Sequence, residues 1–181
     1  MRIDWLENDR FINKVDSILE KYSLSLGIEI LSIVLYGSRA RGDRNSQNDY
    51  ELIVLVNNNT DLNSFIKFTN ILRIELLKEK LFLVKLLVYT PDVFEELLYN
   101  DKVTGTFLYM ICKENIILYD KFGTFITIKE RLAANDVKKE EEFLNQCVDF
   151  ARMLGSEKWE RKWEKTLMQY KYMKRRRELN G

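Results

Sequence analysis

Histidine does not occur among the 181 residues, and its absence excludes more chemistry than any other feature of the composition. Ser-His-Asp and Cys-His catalysis are ruled out, as are ordinary zinc sites built on imidazole. Any metal this chain handles must be met by oxygen ligands, which points to magnesium or manganese. Proline occurs once and glycine seven times, so long flexible linkers are not expected. Cysteine is scarcer than glycine. Cys112 and Cys147 sit in apolar, helix-like surroundings and read as two reduced core thiols of a cytoplasmic protein, with a disulfide left open by the sequence. No apolar run reaches membrane-spanning length, because Lys85 interrupts the strongest one, Leu81 to Val88. The opening residues, among them Arg2, Asp4, Glu7, Asp9 and Arg10, lack the pattern of a signal peptide.

What is present, 46% hydrophobic and 31% charged residues, is the composition of a soluble globular protein. The length suits one domain, or one domain with an appended helical element. The net charge of +1 hides an asymmetry. Ser156 to Gly181 carries nine Lys and Arg against four Glu, or +5, which leaves −4 on residues 1–155. The basic end is a candidate surface for nucleic acid or an acidic partner, although a solvated helix face is the commoner explanation.

Phe11, Val15, Ile18, Leu19 and Tyr22 recur at helical spacing with polar residues between them, which predicts an amphipathic helix ended by Gly27. Ile28 to Tyr36 is apolar and β-branched, a strand. Residues 37–48 form a polar turn, and Tyr50 to Val56 is nearly continuous in apolar residues, as a central strand would be. After a turn at Asn57 to Asp61, with Thr60 or Asp61 as cap, a helix runs to about Glu79 on Phe65, Phe68, Ile71, Leu72 and Leu76. A third strand covers Leu81 to Tyr89. Thr90 and Pro91 then supply the cap and first position of a short helix, another helix covers roughly Val103 to Lys113, and Ile116 to Tyr119 suits an edge strand. From about Ile126 no strand pattern occurs. Val137, Leu144, Cys147, Val148, Ala151 and Leu154 form one stripe, and Trp159, Trp163, Leu167 and Tyr170 another. Gly155-Ser156 lies between them, the pattern of a helical hairpin.

The informative stretch is Leu35-Tyr-Gly-Ser-Arg-Ala-Arg-Gly-Asp-Arg-Asn-Ser-Gln-Asn-Asp-Tyr-Glu-Leu-Ile-Val-Leu55. A strand ends at Gly37-Ser38, where free backbone N–H groups and a hydroxyl favour a phosphate. Gly37 permits close approach of the backbone to a ligand, and Arg39 and Arg41 are candidates for charge-assisted contacts to a triphosphate. Asp49 and Glu51, at positions i and i+2 of a strand, face one side. If the first two strands pair, both carboxylates lie beside the phosphate turn. Two hard oxygen ligands beside a triphosphate are what a magnesium ion needs to bridge protein and substrate.

Gly-Ser, ten residues, then Asp-x-Asp/Glu resembles the signature of the DNA polymerase β-like nucleotidyltransferase superfamily. The fuller string Gly37 to Gly42 resembles its minimal nucleotidyltransferase branch, which includes antitoxins of some toxin–antitoxin pairs and relatives of aminoglycoside adenylyltransferases. The likeness covers roughly residues 28–120 and continues into Val88-Tyr-Thr-Pro-Asp-Val-Phe-Glu95 and Ile116 to Tyr119. It implies an α/β (α+β) nucleotidyltransferase fold, a small mixed sheet flanked by helices over residues 1–125, with a C-terminal helical extension over 126–181. It also implies transfer of AMP from ATP, with Mg2+ or Mn2+, to a hydroxyl acceptor that the sequence does not identify. By position, Gly37 and Ser38 would hold phosphates, while Asp49 and Glu51 would hold the metal and serve catalysis.

One position departs from the pattern. The family places a third carboxylate on the third strand, where alignment through Val88-Tyr-Thr-Pro91 puts Lys85, and no acid lies near it in Leu81 to Tyr89. Glu51 is also the longer of the two acids found at its position. Lys85 is then a counterion standing in the metal's place, a phosphate contact, or a base with its pKa lowered by burial. The first two are favoured, because Asp49 and Glu51 stabilise a charged lysine. Two functions follow from this: a nucleotidyltransferase, or a degenerate homologue that binds a nucleotide or a protein, antitoxin-like or as a homo-oligomer. Nucleic-acid binding through Lys174 to Arg177 is a weaker third, and Trp159 and Trp163 read as packing.

Overall fold

The computed structural model of the chain describes residues 9–42, 49–134 and 137–179. Helix α1 (Arg10–Leu26) starts at Asp9, whose carboxylate accepts from Phe11 N and Ile12 N at 2.9 and 3.2 Å. It satisfies donors that the first turn would otherwise leave without partners. Gly27, at φ +64°, ends the helix in the left-handed conformation that glycine adopts without a side-chain clash. Ile28 N then bonds back to Ser23 O at 2.8 Å, so β1 (Ile30–Tyr36) begins two residues later than the apolar run suggests.

A four-residue helix, α2 (Gly37–Ala40), follows β1. Next come β2 (Tyr50–Val56), α3 (Leu62–Lys78) and β3 (Val84–Tyr89). Asp61 is the cap of α3, accepting from Ser64 N at 3.0 Å. Leu81 belongs to a turn that closes through Val84 N to Leu81 O, which delays the start of β3. Then come α4 (Pro91–Asn100), α5 (Lys102–Lys113) and β4 (Asn115–Asp120). The sheet order is β3-β2-β1-β4, with β1 antiparallel to both neighbours and β2 parallel to β3. This is the expected mixed sheet, with β2 inside and β4 at an edge. Leu35, Leu52 and Val54 point to one face and pack with Leu19, Phe68 and Leu72 of α1 and α3. Each such side chain contributes on the order of 1.5–3 kcal/mol by burial. On the opposite face, Phe94 packs edge-on against Tyr89 and Phe125.

The chain divides into two compact units, residues 1–95 with 114–126, and residues 96–113 with 127–181. The sequence expectation drew one cut, at 125. In the second unit α5 joins α7 (Val137–Met153): Tyr109 stacks on Phe143 with centroids 4.6 Å apart, and Thr106 donates to Gln146 Oε1 at 2.9 Å. Periodicity shows that α5 has an apolar face but not which helix covers it. Helix α6 (Thr124–Ala134) connects the units, and α7 and α8 (Glu157–Leu179) form the C-terminal hairpin. Arg152 anchors the hairpin turn through Glu160 Oε1 at 2.7 Å, and Trp163 is buried. Leu154 departs from its stripe, being 55% exposed, because the Gly155 turn ejects it. The side chains of Val137 and Arg177 lie outside those described. Cys112 and Cys147 are buried and form no disulfide, and burial pushes the Cys112 thiol up to about 12. Among the described residues, no helix is long and apolar enough to cross a membrane.

Candidate functional site

Antiparallel pairing sets Tyr36 opposite Glu51, and the parallel neighbour sets Glu51 opposite Lys85. Directly paired residues project from the same face of a sheet, and Asp49 lies two residues before Glu51 on that face. The sheet thus gathers Asp49, Glu51, Lys85 and Tyr36 where β1 gives way to the 37–42 turn. Gly37, at φ +75°, forms the floor. A Cβ built on it would lie 1.8 Å from Glu51 Oε2, so only glycine leaves room for that carboxylate. Ser38 is half-buried on the same turn, and residues 43–48 lie outside those described.

The ammonium of Lys85 meets two acids here, pairing with Asp49 and acting on Glu51 through its charge alone. Lys85 Nζ pairs with Asp49 Oδ2. That hydrogen bond first, and the charges of Asp49 and Glu51 with it, hold the ammonium above its ordinary range. A base with lowered pKa, one of the roles open to Lys85, is therefore not what the site makes. The Glu51 carboxyl shifts up, chiefly because burial penalises its charge, with Asp49 adding repulsion and Lys85 and Arg41 opposing it. Burial and the Glu51 charge also raise the Tyr36 phenol.

A carboxyl raised in the fold prefers its proton there. Its contribution to stability is therefore present below its ordinary pKa of 4.5 and lost as pH rises through the folded value. At about pH 7 Glu51 is a cost to folding. Glu51→Gln is expected to stabilise the protein on the order of 1 kcal/mol at that pH, a gain that shrinks toward about pH 4. Thermal melts at the two pH values check it, and an unchanged melting temperature at both would dismiss the strained carboxylate.

The two arginines part company. Arg41 Nη1 reaches Glu114 Oε2 at 3.7 Å, at the entrance to β4, and remains near enough to lower the Glu51 carboxyl. Arg39 is buried at 7% exposure, with its guanidinium 3.7 Å from the centroid of the Tyr50 ring. Phe11 stacks on the same ring at 5.0 Å, and the Tyr50 hydroxyl donates to Asp9 Oδ2 at 2.7 Å. Burial, then the Asp9 contact, push that phenol up to about 12. The phosphate contact expected of Arg39 is a packing contact here, because the side chain turns inward onto the face that carries Tyr50. Sequence reasoning passed over Tyr36, Glu114 and the Tyr50 clamp. The alternation of β2 puts Tyr50 opposite in facing to Asp49 and Glu51, which was the available signal for the clamp; nothing local points to Glu114.

Asp49 and Glu51 were expected to hold a divalent cation. Among the described residues, no group of three or more His, Cys, Asp or Glu is arranged to hold a metal. One Asp49 oxygen is committed to an ammonium, and the Glu51 carboxylate is wedged against Gly37. Magnesium demands near-octahedral oxygen coordination. Lys85 therefore competes with any such cation for the Asp49 carboxylate. A groove of about 660 Å3 is lined by α3 residues, among them Leu72, Arg73 and Leu77, and by β3 residues, among them Lys85, Leu86 and Tyr89.

A family model described as Polymerase beta, Nucleotidyltransferase matches residues 13–122, more than half of the chain. No curated protein and no solved structure matches it.

Proposed function

The chain belongs to the polymerase beta nucleotidyltransferase family, and from that premise we propose that it is a nucleotide-binding member that holds a nucleoside triphosphate without transferring from it. The observation that carries this reading is the ion pair from Lys85 to Asp49, with Glu51 in register beside it. Phosphates would lie on the 37–42 turn, met by the backbone and hydroxyl of Ser38 and by the ammonium of Lys85, with Arg41 nearby. The groove lined by α3 and β3 mixes apolar side chains such as Leu72, Leu77 and Leu86 with Arg73 and Lys85, and would take the nucleoside. Transfer needs a group that deprotonates an acceptor, and a lysine held in its charged form cannot accept that proton. Binding of a protein partner, with this chain in an antitoxin-like role, or of a second copy would then be the output. The minimal nucleotidyltransferase branch, suggested by the string Gly37 to Gly42, fits that role.

One observation favours the second reading, transfer of AMP from ATP with Mg2+ to a hydroxyl. The Lys85 side chain is 61% exposed, so its pair with Asp49 is solvent-screened and weak enough to break. A single experiment separates the two. The protein is incubated with α-labelled ATP and Mg2+ across candidate acceptors, beside calorimetric titration with ATP. Binding without label transfer is expected. Label transfer by wild type that Asp49→Ala abolishes would establish the enzyme instead.

A further inference from the structure

We propose that Lys85 is a built-in substitute for a divalent cation, so that the site binds the phosphates of a nucleoside triphosphate without any metal; this rests on the nucleotide reading above. Two carboxylates, Asp49 and Glu51, face one spot on the sheet beside a turn proposed to take an anion. Without a cation between them they would repel a polyphosphate. The cation is present in the chain itself. Lys85 stands in register with Glu51, bonds to Asp49 Oδ2, and feels the charge of both acids. An intramolecular ammonium acts at a high effective concentration. A free divalent ion would have to displace it from Asp49, and placed beside it would suffer like-charge repulsion.

The position of Lys85 makes the claim testable by charge alone. Replacing Lys85 with Asp changes the local charge by −2, which one divalent cation restores. The side chain is largely exposed and makes a surface-type pair, so the substitutions are expected to preserve the fold, which thermal melts of each variant check. Three proteins are compared: wild type, Lys85→Met and Lys85→Asp. Each is titrated with ATP by calorimetry in excess EDTA and again with Mg2+. Binding of Mn2+ alone is followed by electron paramagnetic resonance.

Wild type is expected to bind ATP with the same affinity, within about twofold, in both conditions, and to take up no Mn2+ at the site. Lys85→Met should lose at least about tenfold in EDTA, in keeping with the loss of one charge-assisted phosphate contact. Lys85→Asp should fail to bind ATP in EDTA, recover binding with Mg2+, and bind Mn2+ in the absence of nucleotide. Magnesium-dependent ATP binding by wild type, or Mn2+ uptake equal to that of Lys85→Asp, would overturn the substitution of lysine for metal while leaving the nucleotide reading standing. Absence of ATP binding by wild type in both conditions would overturn both.

Discussion

Gly37→Ala is expected to abolish ATP binding while costing the fold only about 1–2 kcal/mol, the penalty of holding a non-glycine residue in the left-handed region. The two effects have different origins. Gly37 sits at φ +75°, and the strain of adding a side chain there is local and modest. The contact is another matter. The new methyl would lie 1.8 Å from Glu51 Oε2 and 2.8 Å from the Glu51 Cδ, so the carboxylate must leave. Its far end is flexible, which keeps the stability cost low. Its departure moves an acid whose charge Lys85 feels beside its pair with Asp49, and it places a methyl on the floor where a phosphate would approach. A double-mutant cycle with Glu51→Ala isolates the term. Glu51→Ala removes the clash, so Gly37→Ala should cost less stability in that background than in wild type. Urea unfolding and calorimetric titration of the four proteins measure both quantities. ATP affinity of Gly37→Ala equal to wild type would remove the turn from the site.

Where the sequence reading held, it rested on short-range rules. Strand alternation puts Asp49 and Glu51 on one face whatever surrounds them, and the pairing of β1 with β2 brings that face beside Gly37. The apolar continuity of β2 marks a strand with neighbours on both sides, and β2 has them. The Gly155-Ser156 interruption between two apolar stripes marks a hairpin turn, and α7 and α8 pack across it. What the sequence could not show depends on partners far along the chain. Arg39 and Arg41 differ by two positions in one polar turn, yet one is buried over Tyr50 and the other meets Glu114. The facing of the four-residue helix α2 decides between them, and no periodicity can be read from four residues. Likewise α5 reads as an amphipathic helix anywhere, and Tyr109 on Phe143 with Thr106 on Gln146 shows which helix it covers. Lys85 was legible as an anomaly because it interrupts an apolar strand. Its partner followed from charge, and its strand register came only with the fold.

Arg39→Ala tests the division between the two arginines, with an expected loss of about 2–3 kcal/mol of stability. A desolvated guanidinium over an aromatic ring contributes up to about 2 kcal/mol, and the aliphatic stem adds packing of its own. Arg39 is nearly enclosed, and it closes one side of a stack in which Phe11 closes the other. Removing it loosens the Tyr50 ring, whose hydroxyl holds Asp9, and Asp9 in turn caps α1. The effect should therefore spread from the turn to the first helix. It should appear as a lower urea midpoint together with faster amide exchange at Phe11 and Ile12. Arg39→Lys should recover little, because an ammonium cannot lie flat on the ring as a guanidinium does. Arg41→Ala should behave otherwise, leaving the amide exchange of Phe11 and Ile12 as in wild type, because its partner is Glu114 and not the Tyr50 ring, with ATP affinity reduced. Unchanged stability of Arg39→Ala with affinity lost would return Arg39 to the phosphates and undo the inward placement on which the clamp depends.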